Sequence, residues 1–294
     1  MQASHERVLY YHADASPLGG SLTHPYESAL DAQASVSLNQ SGGHASARIE
    51  KFKLDDLIRS GAAYSQVAGS IEKSTRNWTT LVTSVVEDLN LLEVVTADRI
   101  VSRLAIEHPR EGYYPKVAFV GCQYENLRIN GKPVTPELDL NLLTLDKPET
   151  QPRKEAEGGK LSTKPAPPDL EFPDTPWPEV KSFVDKAVEQ ARRITDAKGA
   201  PDWLKRRYEW MNSAEVRSKK GYILCSVVNE VSGTPRASTF GHVISVPDFG
   251  NIFLGELIVD PKSFQLTMLR VEMGCLAKGH VSFAAARANG FPMP

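Results

Sequence analysis

The sequence predicts an α+β protein: a mainly antiparallel, β-rich body with an inserted helical pair. Three observations lead there. Short alternating or apolar runs recur towards both ends of the chain. One region of helical spacing, residues 179–220, interrupts them. Ahead of it lies a stretch dense in Pro, Lys, Glu and Gly, which cannot bury enough apolar surface to form a core. Strands set apart from a helical pair, instead of alternating with helices, fit α+β and not a doubly wound parallel sheet.

The chain divides into a β-rich region (1–145), a linker (146–178), the helical pair (179–220) and a second antiparallel region (221–294). The two β regions either share one core or form two. With 294 residues, 41% of them hydrophobic, the chain is long enough for both arrangements.

In the first region, Ala45–Leu54 alternates as a strand, and Leu54–Gly61 has room for one short helix closed by Gly61. Glu87–Pro109 is rich in Val and Ile and reads as strand, with a turn near Thr96-Ala97-Asp98. Pro115–Cys122 is a short apolar strand, and Leu138–Leu145 is another. Leu127–Val134 reads as a hairpin, because Asn130-Gly131 supplies the positive φ angles of a tight turn.

The helical pair opens with Thr175 as a cap, Pro176 in the first turn and Glu179 at the positive end of the helix. Phe183, Val184, Ala187, Val188, Ala191 and Ile194 then recur at helical spacing, and Gly199 ends the helix. Pro201 opens the second helix, with Trp203, Leu204, Tyr208 and Met211 as its apolar face. Strands resume at Gly221–Val231 and continue through four more apolar runs, with Gly, Pro, Asn or Asp in the gaps.

Composition excludes several functions. Lys and Arg number 34 against 36 Asp and Glu, a balance that argues against general nucleic-acid binding, which runs on excess positive charge. Residues 179–220 do carry 11 basic against 7 acidic residues, a bias read as a solvated helix face. Cys122, Cys225 and Cys275 have neither CxxC nor zinc-finger spacing and are expected to be structural thiols. No His pair stands at i, i+4, so no metal and no cofactor are expected. Gly158–Ser162 resembles the end of a phosphate loop but lacks the leading Gly and strand, so no nucleotide is expected. The N-terminus has no apolar leader, and no apolar run nears the ~18 residues of a membrane helix. The expected location is cytoplasmic or non-classically released.

The stretch Thr239–Pro261 holds the best chemical candidates. Asp248-Phe249-Gly250 spells the metal-binding triplet of protein kinases, but without that family's other motifs it reads as a turn between strands at His242–Val246 and Asn251–Val259. Gly255 would mark a bulge or a close backbone approach and leaves the direction of Glu256 open. His242 with Asp248 or Glu256, and His12 with Asp14, are the pairs from which a hydrolytic site could be built. The catalytic candidates are therefore His242, Glu256 and His12. Ala62–Asp88 has the look of two amphipathic strands around a polar turn, the form of a membrane-inserting hairpin and equally of an ordinary one.

Glu87–Leu104 followed by Tyr124–Val134, with its Asn-Leu-x-Ile-Asn-Gly step, resembles a β-rich domain of bacterial choice-of-anchor proteins. Phe249–Val259 and Leu266–Cys275 fit the same resemblance, which covers the strand regions only. It implies β-rich architecture and no settled activity. The leading expectation is a non-enzymatic β-rich binding or self-assembling protein, with a protein partner or a second copy as its ligand. The alternatives are a β-pore-forming, membrane-perturbing protein using residues 62–88, and a hydrolase of dispersed His and acid residues.

Overall fold

The structure is a computed structural model that describes residues 9–110, 115–143, 181–233, 237–275 and 277–290. The first strands are β1 (Ala13–His24), β2 (Ser28–Gln33), β3 (Val36–Ser37), β4 (Gly43–Ile49), β5 (Phe52–Leu54), β6 (Ile58–Ser60) and β7 (Ala63–Ile71). Next come β8 (Trp78–Leu91), β9 (Val95–His108), β10 (Lys116–Ala118), β11 (Gln123–Glu125), β12 (Arg128–Ile129), β13 (Lys132–Pro133) and β14 (Thr135–Leu138). The helices α1 (Lys181–Thr195), α2 (Asp202–Tyr208) and α3 (Ala214–Lys220) follow, with a 3-10 turn at Glu209–Asn212. The chain returns to strand in β15 (Ile223–Ser226), β16 (Val228–Ser232), β17 (Ser238–Phe240), β18 (Val243–Val246), β19 (Gly250–Asp260), β20 (Ser263–Gly274) and β21 (Lys278–Asn289).

The protein is mostly antiparallel β-sheet. One sheet runs β17-β18-β19-β20-β21-β1-β2, with β15 also on β19 and β3 on β1. It joins strands from both ends of the chain, since β1 pairs with β21 from Ala13↔Ala288 to His24↔Lys278. The second sheet is built from β4 to β13 around the long pair β8 and β9. β14 and β16 form a separate ribbon. The two sheets pack face to face, with β1, β20 and β21 against β7, β8 and β9. Hydrogen bonds also tie the layers. The Tyr124 phenol donates to the Met268 carbonyl, and His108 Nε2 donates to the Gly290 carbonyl at 2.8 Å.

Alternation explains the central strands. Trp78, Thr80, Val82, Ser84 and Val86 of β8 turn inwards, while Leu81 faces out. Asp88, at φ +49°, then shifts the alternation so that Leu89 and Leu91 also point in. The β8–β9 turn falls at Leu92-Glu93, both with positive φ, and not at Thr96–Asp98 as the sequence led us to expect. Asn90 Oδ1 accepts the Glu93 N–H at 2.9 Å, which holds this turn in place. The Asn130-Gly131 hairpin forms as expected, with φ of +51° and +71°.

Other local expectations change. Leu54–Gly61 contains no helix: Asp55 turns the chain at φ +47° and Ile58, fully buried, leads into β6. An isolated helix of eight residues is too short to hold itself, whereas the β-branched Ile58 fits the pleat. Ala45–Leu54 is two strands and so is Gly221–Val231, whose halves leave for different sheets at Val227. The strand expected at Leu138–Leu145 lies earlier, at Thr135–Leu138, and Leu142 and Leu143 are buried in the turns after it. β1 was not foreseen, because Pro17, Gly19 and Gly20 hide its pattern. Cys122 and Cys225 are buried, but Cys275 is exposed.

Three helices and the 3-10 turn occupy the region read as a helical pair. α1 buries Phe183, Val184, Ala187, Ala191 and Ile194 and packs on β15. Trp203 of α2 meets Phe253 of β19 edge to face at 6.3 Å. This layer covers one face of β19 while the sandwich covers the other, which is why β19 is buried almost without alternation. The cap at Thr175, the linker and Gly158–Ser162 lie outside the described residues.

Candidate functional site

The site begins with one glycine. β20 lies along the whole of β19 on one edge. On the other edge β18 pairs with Gly250–Phe253 and β15 with Glu256–Val259. Gly255 stands at the junction with φ +59°, and its carbonyl accepts the Val227 N–H at 2.9 Å. A Cβ there would sit 2.7 Å from Val227 Cγ2, so the close approach is real. The pairing with β20 keeps its register across this point, from Leu254↔Leu269 to Glu256↔Thr267. What changes is the face. Ala284 of β21, at the same level, has φ +52°, so the irregularity runs across neighbouring strands.

Because of that change, Glu256 emerges on the face of Phe253 and meets the helices. Arg270, opposite Phe253 on β20, donates from Nε to Glu256 Oε2 at 2.5 Å and from Nη2 to Oε1 at 3.0 Å. Arg207 of α2 donates from Nη2 to Oε1 at 2.7 Å. Arg270 also pairs with Glu272. The Phe253 ring lies beneath both guanidiniums, 3.8 Å from Arg270 and 5.0 Å from Arg207. Glu256 is 5% exposed. Burial alone would raise its pKa, but the Arg270 bonds and the charges of Arg270 and Arg207 hold it below the usual range.

His242 lies beside this cluster, in the turn between β17 and β18. It is 1% exposed, with Nε2 2.8 Å from the Tyr208 hydroxyl. The two rings meet edge to face at 5.6 Å. Burial pushes the imidazole pKa down to about 4, Glu256 opposes that shift, and Arg207 and Arg270 add to it. The Tyr208 phenol is raised, chiefly by burial. With the ring neutral, the phenol can donate to Nε2.

This arrangement is poor equipment for proton transfer. A general base must reach the proton it abstracts. His242 is sealed against Tyr208, and Glu256 is held by two arginines. Three clefts of about 360, 420 and 390 Å³ are lined by neither residue. His12 is exposed, its backbone N–H bonded to Asn289 Oδ1 at 2.7 Å. Asp14 lies across from Arg287. Asp248 takes φ +58° in the β18–β19 turn, where Phe249 N–H bonds the Val246 carbonyl at 3.2 Å. Among the described residues, no group of three or more His, Cys, Asp or Glu could hold a metal ion.

Arg207, Arg270 and Tyr208 were not among the candidates drawn from the sequence. A signal was there. Arg270 stands in the apolar run FQLTMLRVEM and Glu256 in the equally apolar NIFLGELIV. Opposite charges embedded in two apolar strands call for each other as partners.

Residues 9–260 match the model of a family described as Domain of unknown function (DUF8256). The chain belongs to this family. The match spans the second sheet, the helical layer and the Glu256 cluster except for Arg270 and Glu272. No curated protein and no solved structure matches the chain.

Proposed function

We propose that the chain is a non-enzymatic β-rich binding or self-assembling protein that takes its partner by strand addition at β4. One observation carries this reading. Among the described residues, the outer edge of β4 is unpaired over seven residues, Gly43–Ile49. Its inner edge is fully zipped to β7, from Gly43↔Gly69 to Ile49↔Ala63. An open edge of this length is a template for another strand.

Some other edges are guarded or short. On β15, the Gln190 side chain acts as a substitute strand: its Nε2 donates to the Ser226 carbonyl and its Oε1 accepts the Ser226 N–H, both at 2.9 Å. On β2, Gln33 Nε2 occupies the Asp31 carbonyl at 2.8 Å. β17 is only three residues long. β4 has no such guard among the described residues, and its His44, Ser46 and Arg48 are exposed.

Proline scanning tests the reading. Of two adjacent β4 residues, one N–H faces β7 and the other faces outwards. Ala45→Pro and Ser46→Pro should therefore separate: one lowers the unfolding midpoint, and the other leaves it unchanged while abolishing association in sedimentation velocity. A wild-type chain that is monomeric at all concentrations and selects no extended peptide from a displayed library would count against it.

A further inference from the structure

We propose that the cleft between α2, α3 and the β15–β19 edge binds a small monoanionic carboxylate carried on a ring. It belongs to the other sheet from β4, so it stands or falls apart from the strand-addition reading. The cleft is about 420 Å³ and is lined in part by Arg207, Trp210, Lys220, Tyr222, Leu224 and Ile258. That size suits a single small ring system.

Its walls are aromatic and aliphatic. Trp210 and Tyr222 meet edge to face, centroids 5.0 Å apart at 62°. The indole is locked by its Nε1–H, which donates to the Arg207 carbonyl at 2.7 Å. A ring slotted beside this pair and over Leu224 and Ile258 would keep apolar contact on several sides.

The polar groups of the cleft are unequally engaged. Asp260 is the acid in its lining, and both of its oxygens are occupied. Oδ1 accepts the Lys262 and Ser263 N–H groups at 2.7 and 2.8 Å, and Oδ2 accepts the Ser263 hydroxyl at 2.7 Å. Lys220 instead places its ammonium 5.0 Å from the Trp210 centroid and makes no hydrogen bond or ion pair among the described residues. Arg207 adds a second cation, fixed by Glu256. Acceptors are thus engaged and donors remain. Arg207 is already balanced by Glu256 and the Asp260 oxygens are already bonded, so Lys220 is the lining cation left to pair, and a single ammonium fits a monoanionic carboxylate better than a phosphate dianion.

The test is ¹H–¹⁵N correlation and calorimetry on the full chain, with benzoate as probe. Benzoate should shift the Trp210 indole signal saturably. Benzyl alcohol, the same ring without the charge, should bind about tenfold more weakly, the loss of one charge-assisted bond. Lys220→Gln should weaken benzoate by a similar factor and leave benzyl alcohol unchanged. Equal binding of benzoate and benzyl alcohol, or benzoate affinity unaffected by Lys220→Gln, would overturn the proposal. So would shifts confined to residues away from Trp210 and Tyr222.

Discussion

His242, buried and neutral against Tyr208, sets a pH dependence of stability. Its folded pKa is about 4, against 6.5 for a free imidazole. Between those values the unfolded chain binds the proton and the folded chain does not, so stability falls as pH drops from 6.5 to 4. The full loss is about 3 kcal/mol. Glu256 is also lowered, so its contribution is present above the unfolded carboxylate value and is lost as pH falls through its folded pKa. Urea titrations from pH 7 to 3 should show both phases. His242→Gln should flatten the upper phase and leave the lower one. Glu256→Gln should cost about 3 kcal/mol at pH 7, because it leaves two arginines facing a neutral amide. Gly255→Ala should cost about 1–3 kcal/mol, from positive φ and from contact with Val227. An unchanged midpoint in Gly255→Ala would mean the close approach does not constrain the strand.

Among elements, α1 shows how a helix can close a sheet. Gln190 offers β15 the donor and acceptor that a further strand would have offered. Gln190→Ala should leave the Ser226 amide and carbonyl unpaired, at a cost of about 1–3 kcal/mol. Hydrogen exchange at the Ser226 amide should speed up accordingly, while amides in β8 and β9 keep their protection. This guard was invisible in the sequence, where Gln190 is one polar residue on an amphipathic helix. The periodic side of that helix was legible: Phe183, Val184, Ala187, Ala191 and Ile194 are buried as their spacing predicts. So were the Asn130-Gly131 hairpin and the turn at Asp248, because Gly, Asn and Asp announce positive φ. The turn at Leu92-Glu93 was not, since neither residue type announces it and Asn90 supplies the bond from outside. The same limit hid the candidate site. His242 and Glu256 stood out by residue type, but their partners depend on a change of face at Gly255 that no alternation pattern encodes. The hairpin β7–β8, weighed as a membrane inserter, packs its inward face against β1 and β21.

For the whole molecule, the β4 edge, open among the described residues, carries a pattern that a second copy could complement. Its outward face holds His44, Ser46 and Arg48, followed by Glu50, which Arg48 grips through Nε and Nη2 at 2.8 and 3.2 Å. Its inward face holds Ala45, Ala47 and Ile49, all half-buried. An antiparallel two-fold pairing centred on Ala47 would set His44 opposite the copy's Glu50, and Ala45 opposite its Ile49. Shifting the centre to Ser46 sets His44 against Arg48, and shifting it to Arg48 sets two arginines together, so the Ala47 register is preferred. If the partner is a second copy, Glu50→Lys should weaken dimerisation at least tenfold in sedimentation equilibrium. The double variant His44→Glu with Glu50→Lys should restore it. Both variants lose the Arg48–Glu50 pair within one chain, so recovery in the double variant can only come from the contact between copies. Ala47→Cys in a Cys275→Ser background adds a register check: it should form a symmetric disulfide on mild oxidation, and Ala45→Cys should not. A dimer whose strength ignores both charge changes would place the contact elsewhere on the molecule.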